Sequence, residues 1–482
     1  MKARLYTPEN RKWWTLGAVS LGLFMIMLDN TIVNVALRTI QDSLGLKVSE
    51  LEWIVAGYAL TFGALMLTGG KLADLFGRRL VFVIGLSIFT LSSLACGLAG
   101  GATVLIAARV VQGVGAAMMN PSTLSIITVT FPPRQRGMAI GVWAGVSALA
   151  LAIGPLVGGL ICEHINWNWI FFINVPVGAI AILAAFLLID ESKDTSREQR
   201  PDIPGLVTSA IALFSLSYGL IEANAYGWTS TRILTAFAIA AVAFVAFILL
   251  ELRQRLPMLD LTLFRSRGFS GANAVMLFLS FGMFGVFFYV SLYVQEVLGY
   301  SPVQAGASFL PWTILIMFLA PLAGRFSDVV GARPIVTSGL VILSGSLFWF
   351  AHCGTTATFW NLLPGMILGG VGMACAMAPT TAAGMRSVSP DKAGVGSAVL
   401  NSSRQVGGSL GIAVTGAIVA AGIKSASKAG DAPPVAFVQG FHHGLIVSGI
   451  TVLVGALIAF LTLHHVKTQQ EPATAPEFAE AA

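Results

Sequence analysis

Fourteen apolar stretches fill almost the whole of this 482-residue chain, and each is long enough to cross a bilayer. They are read at 13–37, 51–73, 80–99, 103–125, 137–161, 168–189, 204–222, 232–250, 270–294, 304–325, 334–352, 358–381, 394–421 and 440–463. A spanning helix needs about 17–25 residues. The runs are continuously apolar rather than alternating, so they predict helices and exclude a closed barrel. Charged residues make up only 10% of the chain, against about 25% in a soluble domain. The expected fold class is therefore an all-α polytopic membrane protein.

Lys and Arg fix the orientation. With the N-terminus inside, 21 of the 28 fall on the tails and even-numbered loops, and 5 fall on the opposite side. That asymmetry places both termini in the cytoplasm and requires an even number of spans. The net charge of +6 is thus an orientation signal, and no nucleic-acid partner is expected. The run after Lys12 is too long for a secretory leader and has no small-residue cleavage site, so it reads as a retained first helix. Cys96, Cys162, Cys353 and Cys375 sit in or beside separate helices without paired spacing and read as packing residues.

A short motif repeats. Gly70-Lys71-Leu72-Ala73-Asp74-Leu75-Phe76-Gly77-Arg78-Arg79 ends the second span, and Gly324-Arg325-Phe326-Ser327-Asp328-Val329-Val330-Gly331-Ala332-Arg333 ends the tenth. Gly70, Asp74, Gly77 and Arg79 each recur 254 residues later. The repeat unit is eight helices, or six plus two. This predicts a six-helix bundle at 1–190, linkers and an inserted hairpin of spans seven and eight at 191–267, and a pseudo-symmetric six-helix bundle at 268–466. The remainder, 467–482, is Pro/Ala/Glu-rich and expected to be disordered. A duplicated polytopic chain with a duplicated cytoplasmic hinge is the pattern of a secondary transporter.

The 70–79 segment resembles the loop between the second and third helices of the major facilitator superfamily. Leu28-Asp29-Asn30-Thr31-Ile32-Val33-Asn34-Val35-Ala36-Leu37 looks like the first-helix motif of its fourteen-span drug:proton antiporters, the EmrB/QacA type. Arg109-Val110-Val111-Gln112-Gly113-Val114-Gly115-Ala116 is similar to their fourth-helix motif, and Gly145 through Gly159, with Gly154-Pro155, to their fifth. The segment Asn166 to Pro176 is also typical of the branch. Arg38 stands where the family usually has Pro, and Leu75 where it usually has a basic residue. The resemblance implies proton-coupled export of lipophilic small molecules across the cytoplasmic membrane. It implies the MFS fold, action as a monomer, and no cofactor, metal or ATP.

Asp29 lies 16 residues beyond Trp13, roughly 24 Å along a helix and just outside the midplane. A carboxylate at that depth costs at least about 2.5 kcal/mol and must face the bundle interior or water. The bland alternative is a polar residue that only ties helices together. Arg109 enters helix four early enough to share its depth, and Gln112 shares its face at i+3. Asp29, Arg109, Gln112 and Asn34 are the expected coupling and substrate residues, against a reading of the pair as a static salt bridge. Asn401, Arg404, Gln405 and Gly408 form a polar stripe in span thirteen, either a cavity wall or an interhelical clamp. Glu222 ends span seven near the outer surface and reads as interfacial before coupling. Gly145, Gly154, Pro155, Gly158 and Gly159 are expected to pack span five tightly and, by resemblance, to gate. Gly70, Asp74, Gly77, Arg78, Arg79 and Asp328 are expected to brace the two bundles at the cytoplasmic face.

Gly69-Gly70-Lys71 is followed by Leu72, where a phosphate loop needs Ser or Thr, and no strand precedes it. With no catalytic or metal cluster, an enzyme is not expected. The alternatives are a dedicated exporter of one metabolite or self-made antibiotic and, more remotely, a non-transporting sensor, against which the short cytoplasmic loops argue. The charge asymmetry makes one prediction directly. In intact cells an impermeant maleimide should label a single cysteine at Lys424 but not one at Asn10. Labelling at both positions would refute the orientation.

Overall fold

The computed structural model describes residues 8–193, 202–254, 257, 259, 261–388 and 393–463. The 467–482 tail, most of the first linker, and Lys2, Arg4, Arg197, Arg200, Arg255, Lys392 and Lys467 lie outside them. Fourteen helices are long and apolar enough to span. In chain order they are α1 Pro8–Leu44, α2 Val48–Phe76, α3 Arg78–Gly97, α4 Ala102–Thr130, α5 Pro133–His164, α6 Trp169–Leu188 and α7 Ile203–Tyr226. These are followed by α8 Thr231–Arg253, α9 Arg267–Glu296, α10 Pro302–Ser327, α11 Ala332–Phe350, α12 Phe359–Arg386, α13 Ala393–Lys428 and α14 Pro433–Thr462. Among the described residues there is no strand.

Helix ends are satisfied locally, as a bilayer demands of backbone groups near its surface. Asp202 Oδ1 accepts from the Gly205 amide at 2.8 Å to start α7. Ser301 Oγ accepts from Gln304 N at 3.3 Å to start α10, and the Gln304 side chain returns a bond to the Ser301 amide. The first helix runs to Leu44, past the expected end at 37. Arg38, unlike the family's proline, keeps its N–H and leaves the helix unbroken.

The packing repeats with a period of eight helices. Helix α2 packs on α4, α3 on α4, α1 on α5, and both α1 and α3 on α6. The equivalent pairs α10–α12, α11–α12, α9–α13, α9–α14 and α11–α14 recur in the second half. The halves meet along two seams exchanged by the same pseudo-symmetry, α2 against α13 and α5 against α10. Helix α7 lies across the first seam, touching both α2 and α13, and α8 packs on α7. The apolar windows of α7 and α8 are each 28% buried, against 89% for α2, so the pair is peripheral and α2 central. The Asn224 amide at the outer end of α7 donates to Ala417 O at 2.5 Å, tying it to α13.

The two copies of the repeated motif also fold alike. Gly77 separates α2 from α3 with φ +122°, and Gly331 separates α10 from α11 with φ +95°. Both are left-handed turns that favour glycine. Arg79 donates to Ile189 O, just past α6, at 3.2 Å. Arg333, its counterpart, stacks on Phe460 of α14, 3.9 Å from the ring centre. Each arginine thus reaches the last helix of its own bundle.

Gly77 has a second constraint: a Cβ there would meet Glu191 Oε1 at 2.5 Å. That carboxylate accepts from the amides of Arg79 and Leu80, both at 3.1 Å, at the positive end of α3. At Gly145 a Cβ would meet nothing within 4 Å. Gly77→Ala should therefore lower the thermal midpoint of the detergent-solubilised protein, with a cost of about 1–3 kcal/mol from backbone strain. Gly145→Ala should leave the midpoint unchanged or raise it. Equal midpoints for the two variants would remove Gly77 as a structural hinge.

Candidate functional site

The polar centre of the first bundle is built on α1, α2 and α4. Arg109 and Gln112 share one face of α4. The missing Cβ of Gly113 lets that face approach α2, where an added Cβ would lie 2.7 Å from Tyr58 O. At this separation Arg109 Nε donates to Ile54 O at 3.1 Å. Its guanidinium lies 4.2 Å above the Tyr58 ring and 5.8 Å from that of Phe171. Arg109 Nη1 meets Asp29 Oδ2 at 2.5 Å and also donates to Gln112 Oε1 at 2.8 Å. Gln112 Nε2 donates to Asp29 Oδ1 at 3.2 Å, closing a three-residue ring. The Arg109 and Asp29 side chains are 1% and 0% exposed.

The structure thus brings together Asp29, Arg109 and Gln112 but leaves Asn34 apart. The Asn34 amide bonds back to Asn30 O at 3.1 Å, and its carbonyl accepts from Ser291 Oγ on α9 at 2.8 Å. Asn34 therefore belongs to the outer seam. Nearby, Gln295 Nε2 donates to Val35 O at 3.1 Å, Arg38 pairs with Glu296 at 3.3 Å, and Glu163 Oε2 accepts from Val303 N at 3.0 Å. These bonds hold the outer ends of the two halves together.

The glycines of α5 serve the same seam. Cβ atoms at Gly154 and Gly158 would strike Thr31 and Ile32 of α1, and one at Gly159 would strike the backbone of Pro302. From the other side, a Cβ at Gly306 would strike the carbonyl of Pro155. Helix α5 is therefore in backbone contact with α1 on one side and α10 on the other. Gly145 takes no part in this packing.

The described bonds of the repeated motif differ from the expected brace between bundles. Asp74 accepts from Arg78 Nε and Nη2 at 3.1 and 3.0 Å, and Arg79 bonds Ile189 O, so these described bonds stay within the first six helices. A Cβ at Gly70 would touch Pro121 at 3.5 Å, an ordinary contact. Lys71 donates to Pro257 O in the second linker. Only the backbone of Asp328 is described.

On α13, the Asn401 amide bonds to Ser397 O of its own helix at 3.0 Å. Gln405 packs against the middle of α2, where a Cβ on Gly63 would meet its Cβ at 2.9 Å. Arg404, beside it, is half-buried. Glu222 is half-buried and interacts electrostatically with Glu52.

Glu52 is the residue that sequence reasoning missed. It is 3% exposed and accepts from the Tyr289 hydroxyl of α9 at 2.6 Å, across the outer seam. At the second position of the expected span it looks interfacial. The signal available was a carboxylate inside the span boundary, next to Trp53. Among the described residues no group of His, Cys, Asp and Glu could hold a metal ion, and all four cysteines are free.

Two pseudo-symmetric bundles, the first with an ion pair buried inside it, define a multi-pass membrane protein of secondary-transporter architecture. The chain matches the model of the Major Facilitator Superfamily over residues 19–412 and belongs to that superfamily. It is 34% identical to the tetracenomycin C resistance and export protein of Streptomyces glaucescens over 95% of this chain and 93% of the relative. It is 36% identical to the multidrug resistance protein Stp of Mycobacterium tuberculosis over 84% of this chain and 76% of that one. Among solved structures it resembles an inward-facing, unoccupied bacterial homologue of the human lysosomal transporter Spinster. That similarity has a TM-score of 0.66 at 18% identity, covering 94% of this chain and 97% of the other, and speaks to fold alone.

The geometry separates the two members of the ion pair. Arg109→Ala leaves Asp29 buried opposite no cation, which costs about 3–5 kcal/mol. Asp29→Asn keeps an acceptor for the guanidinium and preserves the shape. Thermal unfolding in detergent should therefore show a large loss for Arg109→Ala and a smaller one for Asp29→Asn. No loss in either variant would mean that the pair does not stabilise the bundle.

Proposed function

We propose that this protein exports lipophilic small molecules, antibiotics among them, across the cytoplasmic membrane in exchange for protons. The carrying observation is the buried Asp29–Arg109–Gln112 ring, the one charged assembly at membrane depth in the first bundle. Whole-length relatedness to a tetracenomycin C resistance and export protein supports the direction and the substrate class. Asp29 is the proton carrier: protonation dissolves its pairing with Arg109 and deprotonation restores it. An inward proton supplies about 2.3 kcal/mol per 100 mV, enough for appreciable accumulation outside.

In this reading the first bundle, 1–190, rocks against the second, 268–466, with the hairpin of α7 and α8 riding on the α2–α13 seam. The bonded outer seam corresponds to the inward-facing state. Both termini are cytoplasmic, the protein acts as a monomer, and it performs no chemistry on its substrate. Relatives named for one compound and for many drugs leave breadth to a substrate panel.

Substrate uptake into everted vesicles should stop when a proton carrier collapses the pH gradient. Asp29→Asn should lose proton-coupled efflux by about a hundredfold or more, because a group that cannot ionise halts the exchange cycle. Glu222→Gln should change it little. Wild-type efflux and proton exchange in well-inserted Asp29→Asn protein would place the essential carboxylate elsewhere.

A further inference from the structure

Between the outer carboxylates and the cytoplasmic motifs, the spans carry only three charged side chains: Asp29, Arg109 and Arg404. The first two neutralise each other inside the first bundle. Arg404 has no hydrogen bond or ion pair among the described residues, and its charge is felt at the Tyr58 hydroxyl across the interface between bundles. Its depth is set by its neighbour, since Gln405 packs against Gly63 near the centre of α2.

Unused hydrogen-bonding capacity lies on the same stretch of α13 and on α2 opposite it. The Gln405 amide nitrogen, the Ser402 hydroxyl and the Tyr58 hydroxyl are buried without partners. Each can donate a proton, and a guanidinium offers five N–H groups and no acceptor. An interhelical clamp would need an acceptor bonded to the arginine, and no such bond is found among the described residues. What the cluster lacks is an acceptor carrying negative charge.

We infer that the Arg404 cluster is a substrate site for anionic amphiphiles, aromatic or other apolar bodies bearing a carboxylate or ionised phenol. The inference rests on the export reading and supplies its substrate chemistry. The guanidinium pairs with the anionic group in a charge-assisted, two-pronged bond. The unpartnered Tyr58 hydroxyl, across the interface, offers a further donor. A permanently cationic drug meets an uncompensated positive charge at the same depth and has no free carboxylate to offset it. Expulsion of an anion is also favoured by an interior-negative potential, so voltage and proton gradient act in one direction.

The test uses two dyes with one ring system and opposite charge, fluorescein and rhodamine 6G, binding to the full-length protein in nanodiscs by fluorescence anisotropy. Fluorescein should bind about tenfold or more tightly than rhodamine 6G, and Arg404→Gln should weaken fluorescein by about the same factor. Arg404→Lys should retain part of the affinity, because it keeps charge but loses the planar fork. Equal or tighter binding of rhodamine 6G by the wild type overturns the inference, as does unchanged fluorescein affinity in folded Arg404→Gln. Should Arg404→Gln fail to fold, the wild-type charge preference and the Arg404→Lys affinity decide on their own. Arg404-dependent fluorescein binding without efflux would sink the export reading and leave this one standing. Efflux of rhodamine 6G with no preference for the anion would do the opposite.

Discussion

The ion pair between Asp29 and Arg109 sets the terms for the first bundle. Two opposite charges at membrane depth are tolerable only if each is held by the other and by further hydrogen bonds. The structure meets both conditions: Gln112 bonds each partner, and Ile54 O takes the remaining Nε proton. This arrangement demands close contact of α1, α2 and α4. The sequence of α4 permits that contact because Gly113 follows Gln112 directly. A side chain there would push α2 away and lengthen the bond from Arg109 to Ile54 O.

Small residues recur where helices must move as well as touch. Lipid tails provide no hydrophobic drive between helices, so close backbone approach and a few polar bonds hold the bundles together. On the α5–α10 seam the contact is backbone to backbone, through Gly159 at Pro302 and Gly306 at Pro155. Such surfaces can slide without leaving long side chains unpartnered. Of the polar bonds described across this seam, Ser291 to Asn34 and Gln295 to Val35 reach backbone carbonyls, while Arg38 and Tyr289 reach the carboxylates of Glu296 and Glu52. Groups of this kind find water as soon as the seam opens, so their separation is cheap.

The order of helices and the polar ring were legible in the sequence because each rests on local pattern. Span length, charge asymmetry and the 254-residue repeat need no tertiary information. Arg109 and Gln112 at i and i+3 fix a shared face before any neighbour is placed. Glu52 was not legible, because its burial depends on Tyr289, which lies 237 positions away on the other half. Asn34 was placed in the wrong company for the same reason: it shares a motif with Asp29, but five residues along the helix it meets α9 instead of α4. The repeated motif suggested a brace between bundles, whereas the described bonds of Asp74, Arg78 and Arg79 close on α3 and the end of α6 and Lys71 reaches the second linker. A charged loop motif specifies which groups can bond, and the position of the two halves decides which partner is within reach.

The inserted hairpin breaks the symmetry that the rest of the chain observes. The pseudo-two-fold relation exchanges the α2–α13 and α5–α10 seams, yet α7 covers only the first. There it adds a bond from Asn224 to Ala417 O, and Lys71 of the motif bonds the linker leaving α8 at Pro257. The covered seam therefore has polar ties at both its ends, while the described contacts of the α5–α10 seam are glycine, proline and the bonds of Glu163 to Val303 and Ser301. In the proposed rocking motion α7 and α8 would act as a strap over the α2–α13 seam, on the face opposite α5 and α10.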